Sequence, residues 1–260
     1  MKQSRVILLP LVLILLTPFL VYEIPIILDG EFFLAWTGAF VVLDYFSIIK
    51  SVMLISSAII MIFFMIGMFK ELRTIDKMVT GLIIIYIILV LLSHLFSEYK
   101  QISLFGIVDR FEGTLVLISY GLILLYTMLV SRFNKNYQIL FTIFILCSGL
   151  LAIIGFLQFI NMDPFLHPLV YDALFPSYSE EIIPFLSSHF GRVDITMYNS
   201  NYVGSFVALT FPITFFMLLH ATKPYQRYLY LIVNILLFIV AIASRSRAGL
   251  LGIIGAVLFG

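Results

Sequence analysis

Long apolar runs separated by short polar stretches dominate the chain, and the runs have membrane-crossing length. A helix needs about 20 mainly apolar residues to cross roughly 30 Å of hydrocarbon. Residues 6–22, 51–69, 78–96, 114–131, 137–160, 200–220 and 226–243 meet or approach that length without an acidic or basic residue deep inside them. An eighth run starts at about 248 and reaches Gly260 after about 13 residues, or roughly 20 Å of helix at 1.5 Å per residue. None of the runs shows the period-two alternation of a barrel strand, and an open sheet in lipid would leave backbone groups unpaired. The pattern therefore predicts an all-α, polytopic transmembrane helical bundle of about eight spans. A single polytopic membrane domain is expected over 1–260, with the last span incomplete and the chain expected to be truncated at its C-terminus.

The first run follows Lys2 and Arg5, as the apolar core of a signal peptide would. Residues 17–23 offer no small-x-small cleavage site, so 6–22 is expected to remain as a span, bent at Pro10 or Pro18.

Charge then orients the spans. Assigning alternate connections to opposite sides puts Lys2, Arg5, Lys70, Arg73, Lys77, Arg132, Lys135, Lys223 and Arg227 together with only Glu71 and Asp76. The other side keeps the remaining six of the 15 basic residues and twelve of the 14 acidic ones. An excess of Lys and Arg marks the cytoplasmic side, so the N-terminus is expected inside and 23–50, 97–113, 161–199 and 244–247 outside. The long outward-facing loop 161–199 carries Pro164, Pro168, Pro176 and Pro184 and is expected to lie as turns and interfacial helices.

Composition agrees with this reading. Hydrophobic residues make up 62% of the chain and charged ones 11%, against about 45 to 50% apolar in a soluble domain; the mean hydropathy is +1.15. A water-soluble fold is excluded. Cys147 lies inside an apolar run and, as the one cysteine, forms no internal disulfide. No His, Cys or carboxylate cluster has metal-ligand spacing, and no metal, cofactor or nucleic acid is expected.

Four arginines stand on the side that basic residues otherwise avoid. Arg110 lies in Gly106-Ile107-Val108-Asp109-Arg110-Phe111-Glu112-Gly113-Thr114, and Arg192 in the stretch that leads to Asn199-Ser200-Asn201. Arg245 and Arg247 belong to Ser244-Arg245-Ser246-Arg247-Ala248-Gly249. An arginine facing lipid near the bilayer centre costs about 2.5 to 3.5 kcal/mol on insertion scales. Two explanations stand: the guanidinium groups snorkel to headgroup phosphates, or they face a watery cavity and hold an anion in their rigid fork of donors. Four such residues gathered on the depleted side favour a shared anion, helped by the N-terminus of the helix that starts near Ala248. Glu112 and Asp194 either orient these arginines or take part in proton transfer.

Among the remaining polar positions, Asn234 and Gln158 serve as interhelical glue or as cavity lining. Gly249, Gly252, Gly255 and Ala256 permit close helix packing. His94, His167 and His220 read as boundary residues, whereas His189 stands three residues before Arg192.

Four pieces, in this order along the chain, resemble the O-antigen ligase/polymerase superfamily from about Ser103 onward. They are Arg110-Phe111-Glu112-Gly113, Gly155-Phe156-Leu157-Gln158-Phe159, Asn199-Ser200-Asn201-x-x-Gly204 with Pro212, and Ser244-Arg245-Ser246-Arg247-Ala248-Gly249. Relatives often carry Asn-Pro-Asn where this chain has Asn199-Ser200-Asn201, a departure that keeps both amides.

The resemblance implies a metal-independent glycosyltransferase of the GT-C class in the cytoplasmic membrane of a bacterium. It would move a glycan from an undecaprenyl-diphosphate carrier to a glycan or lipid acceptor on the outer face, for cell-surface polysaccharide biosynthesis. Arg110, Arg192, Arg245, Arg247, Glu112, Asn199 and Asn201 become the expected substrate-binding residues. No catalytic residue is assigned, because the family's histidine lies in a further outward loop, and the chain alone is expected to be inactive. The alternatives are a transporter or flippase of an anionic or lipid-linked solute and an inactive truncated homologue. The first is weakened by the lack of charged residues deep in the spans and of an inverted repeat.

Overall fold

A computed structural model describes residues 6–35, 40–72, 75–133, 137–175, 193–197 and 199–259. The chain forms two compact units, Met1–Phe141 and Thr142–Gly260.

The first unit begins with α1 (Leu9–Leu16), which tightens into a 3₁₀ turn over Thr17–Phe19. Pro10 sits in the first turn of α1, where its missing N–H is tolerated, whereas Pro18 can donate no hydrogen bond and regular helix ends there. The helical part of the run 6–22 is therefore shorter than the sequence suggested. Next come β1 (Ile24–Ile27), α2 (Gly30–Ala35) and β2 (Val41–Asp44). The strands pair antiparallel, from Ile24 opposite Asp44 to Ile27 opposite Val41. No strand was expected in this connection.

Then follow α3 (Ile48–Gly67), the short α4 (Phe69–Leu72), α5 (Lys77–Phe96), α6 (Lys100–Phe105) and α7 (Thr114–Phe133). Leu8, Leu11, Met61, Met65, Tyr126, Leu129 and Val130 form the core where α1, α3 and α7 meet. Tyr126 is fully buried and its hydroxyl donates to the Ile7 carbonyl at 2.5 Å, fastening α7 to the start of the chain. Lipid tails are as apolar as these side chains, so van der Waals fit and such hydrogen bonds hold the helices together. By contrast, α5 buries only Ile83, and the rest of its apolar surface suits contact with lipid.

α8 (Tyr137–Phe159) leads into the second unit, followed by a 3₁₀ turn at Pro164–Leu166, α9 (Pro168–Leu174), α10 (Ser200–Leu219), α11 (Pro224–Ala243) and α12 (Arg247–Phe259). α10 packs against both α11 and α12. It crosses α12 where neither helix has a side chain: a Cβ on Gly249 would stand 2.6 Å from the Cα of Gly204. One on Gly252 would stand 2.7 Å from the Cβ of Ala208, while Gly255 has no neighbour within 4 Å. Small residues let the backbones approach at Gly249 and Gly252, as the sequence indicated; Gly255, for which the same was expected, has no such close neighbour. Between α10 and α11 the buried Thr214 hydroxyl donates to Asn234 Oδ1 at 3.1 Å, and Asn234 Nδ2 donates to the Tyr230 carbonyl at 2.7 Å. Asn234 is interhelical glue.

Among the described residues six helical segments are long and apolar enough to cross a membrane: Ile48–Gly67, Lys77–Phe96, Thr114–Arg132, Ile139–Phe159, Ser200–Leu219 and Pro224–Ala243. Leu9–Phe19 and Arg247–Val257 are apolar but shorter. The chain is a polytopic, largely helical membrane protein.

Candidate functional site

The loop between α6 and α7 is built to hold two charged side chains outside a fixed base. Gly106 (φ +92°) and Gly113 bring its two ends together: a Cβ on Gly106 would stand 2.7 Å from the carbonyl carbon of Phe111, and one on Gly113 would run into Leu104. Val108 and Phe111 are buried, packed with Leu28 beside the hairpin. Asp109 and Phe111 adopt left-handed backbone, at φ 74° and 48°, a conformation that costs a side-chain-bearing residue roughly 1–2 kcal/mol. Hydrogen bonds hold them there: Ser47 Oγ donates to the Asp109 carbonyl at 2.5 Å and Ser51 Oγ to the Phe111 carbonyl at 3.0 Å. Arg110, between these anchors, and Glu112, just after the second, are exposed. Glu112 Oε1 accepts from the Tyr120 hydroxyl at 3.2 Å, two helical turns into α7, rather than from an arginine.

Beneath the loop Asp44 caps α3, its Oδ2 accepting from the backbone N–H of Ser47 at 2.9 Å and of Ile48 at 2.8 Å. Burial raises the Asp44 carboxyl above the usual carboxylate range, against the lowering pull of those two N–H groups. Burial, and then the charge of Asp44, raises Asp109 as well. Because the folded form takes up these protons at a higher pH than the unfolded chain does, their ionisation opposes folding. This part of the stability is expected to increase as pH falls through the folded values, levelling off below about 3.8. Thermal unfolding scans from about pH 7 down to about pH 4.5 should show it. Asp109→Asn should flatten the dependence relative to the parent protein, and an identical slope in the variant would contradict the assignment.

In the second unit the polar groups gather where α8 ends and α10 begins. The carboxamide of Gln158 reads one residue in both directions: Oε1 accepts from Ile195 N–H at 2.8 Å and Nε2 donates to Ile195 C=O at 3.2 Å. Nε2 also reaches Asp163 Oδ2 at 3.2 Å. Val193 and Ile195 are buried and lie against Gly155, whose hypothetical Cβ would meet Val193 at 3.1 Å and Ile195 at 3.2 Å. Val193 N–H donates to the Ala243 carbonyl at 3.4 Å, which ties the segment to the last turn of α11. Asn199 Oδ1 accepts from Asn201 N–H at 2.8 Å and caps α10, so its oxygen has a structural task while Asn201 is exposed.

The turn from α11 to α12 sorts its four residues by side. Ser244 and Ser246 are 1% and 2% exposed. The Ser244 hydroxyl donates to the Ala241 carbonyl at 2.8 Å and accepts from Ser246 N–H at 3.3 Å, and Ser246 Oγ accepts from Gly249 N–H at 3.3 Å. Gly204 of α10 lies directly against Ser246. Arg245 and Arg247 are exposed, and Arg245 holds a left-handed backbone at φ 54°. Glycine is the usual residue in that conformation just beyond a helix C-terminus. No carboxylate among the described residues pairs with Arg245, Arg247 or Arg110.

Of the residues singled out by sequence, Asn199, Asn201, Arg245 and Arg247 share this end of the second unit. Arg110 and Glu112 share one loop of the first, and Arg192 and His189 lie outside the described residues. The Gln158 clamp and the Glu112–Tyr120 pair were not anticipated. The alternation in Ser-Arg-Ser-Arg was a usable signal for the buried serines, and the pairing of Gln158 with Ile195, 37 residues away, left no local trace. Among the described residues no group of three or more His, Cys, Asp or Glu could hold a metal ion. No family model matches the chain, and no curated protein or solved structure matches it. Identification therefore rests on the chain itself, as a polytopic, largely helical membrane protein with exposed arginines at the ends of its spans.

Proposed function

We propose that the chain is an O-antigen ligase-like glycosyltransferase that takes a glycan from an undecaprenyl-diphosphate carrier at the outer face of a bacterial cytoplasmic membrane. Arg192, Arg245 and Arg247, all of the second unit, hold the diphosphate, with Asn199 and Asn201 of the same unit. In the transfer an acceptor hydroxyl attacks the anomeric carbon, and the bond from that carbon to the diphosphate oxygen breaks. The electron pair stays on the diphosphate, and the hydroxyl proton leaves to a base. Charge therefore builds on the leaving group, where fixed guanidinium donors in a poorly hydrated site act most strongly.

The observation that carries the reading is the backbone of Arg245. A large cationic side chain occupies a left-handed position between two apolar helices, where glycine would fit at lower cost. Such strain is a reason to look for a function. Arg247 supports it, since a cation opening α12 is unfavourably placed in the helix's own field unless an anion joins it.

The test reconstitutes the intact protein with an undecaprenyl-diphosphate glycan and an acceptor. Alanine at Arg192, Arg245 or Arg247 is expected to lower turnover by about 10² to 10³, as loss of a transition-state donor does elsewhere. Unchanged turnover in all three variants rejects the site.

A further inference from the structure

The first unit contains a cleft whose chemistry differs from that of the arginine turn. It has a volume of about 480 Å³ and lies between α5, α6, the 106–113 loop and the start of α7, within the 300–1,000 Å³ common for small-molecule sites. Tyr86, Leu89, Val90 and Leu117 form its apolar part, and Ser93 and Glu112 its polar part. Along α5, which ends at Phe96, Tyr86 stands roughly 15 Å below the helix end and Ser93 about 5 Å below it. The apolar part thus lies at hydrocarbon depth and the polar part at the boundary. Leu89 is 60% exposed, so the cleft is open sideways, toward lipid.

Its polar end has a definite sign. Among the described residues no lysine, arginine or histidine lines it. One Glu112 oxygen accepts from Tyr120, which leaves the other for a donor. A carboxylate in that position attracts hydroxyl or ammonium groups and repels phosphate, strongly so near a low-dielectric wall. Arg110, on the same loop, is not among the lining residues.

We infer that this cleft binds a membrane amphiphile whose head donates hydrogen bonds to Glu112: a hydroxylated or ammonium head on an alkyl chain lying against Leu89, Val90 and Leu117. The inference goes beyond the transfer reading and does not depend on it, because a phosphate-bearing head is the ligand this site would refuse.

Three photoreactive amphiphiles with one alkyl-diazirine chain and glucoside, primary-ammonium or phosphate heads test it, using the intact protein in phosphatidylcholine nanodiscs and mapping the labelled peptides. The glucoside or the ammonium probe should label 86–93 and 107–117 about tenfold more than the phosphate probe, and whichever labels better identifies the source of the head. Glu112→Gln should reduce ammonium labelling roughly tenfold and spare the glucoside, since an amide oxygen still accepts. Leu89→Trp, at a lipid-facing position, should fill the cleft and reduce both. Phosphate labelling equal to the others, or labelling that survives Leu89→Trp, overturns the proposal. Loss of glycan transfer in the arginine variants leaves these labelling results untouched, so failure of either reading is separately visible.

Discussion

Gly204→Ala is expected to lower the melting temperature of the purified protein by several degrees, corresponding to about 1–3 kcal/mol of overpacking. The added methyl would run into the Cβ and Oγ of Ser246 and press on Gly249, whose Cα would lie at 3.4 Å. Ser246 cannot turn aside without cost. It is 2% exposed and its hydroxyl accepts the Gly249 N–H that opens α12. Leucine at 204 should keep α10 and α12 apart altogether. Gly255→Ala, on the partner helix α12, is the control: nothing lies within 4 Å of its hypothetical Cβ, and alanine favours helix by about 1 kcal/mol. A Gly204→Ala protein that melts with the parent would show that this crossing is not tight.

Arg245→Gly should separate stability from activity. Glycine relieves the left-handed strain of roughly 1–2 kcal/mol, while loss of a cation just past the C-terminus of α11 gives back about 0.3–1 kcal/mol. The melting temperature is therefore expected to stay level or rise slightly, while the glycan transfer proposed above falls by about 10² or more. Arg245→Ala keeps the strain and should lose in both measurements. A glycine variant that still transfers glycan at the parent rate would mean that the guanidinium group has no part in the reaction, whatever holds its backbone in place.

Both predictions concern residues that the sequence marked, but for reasons it could show only in part. Gly249 and Gly252 were legible as packing residues because small residues recur along an apolar helix; that Gly204 is the partner of Gly249 was not, since the two are separated by 45 positions and by the whole of α11. The long spans were legible from length alone, because six of the runs became helices with apolar spanning segments of 19 to 21 residues. The first run was not, because Pro18 ends it early despite an unbroken apolar composition. The hairpin at 24–27 and 41–44 escaped for a similar reason: strands of four residues, one containing Pro25, have too little length for alternation to show. At the candidate site the charges were visible and their anchors were not. Nothing local in Gly106-Ile107-Val108-Asp109-Arg110-Phe111-Glu112-Gly113 says that Ser47 and Ser51, some 60 residues earlier, hold its carbonyls.

The meeting of Gly106 and Gly113 makes the residues between them close to a ring without a covalent clasp. Whatever the crown of that ring carries, the first turn of α7 begins at the same height, so the crown can be rewritten without re-registering the helix below it. Recognition chemistry in this unit can therefore drift while its membrane scaffold stays put.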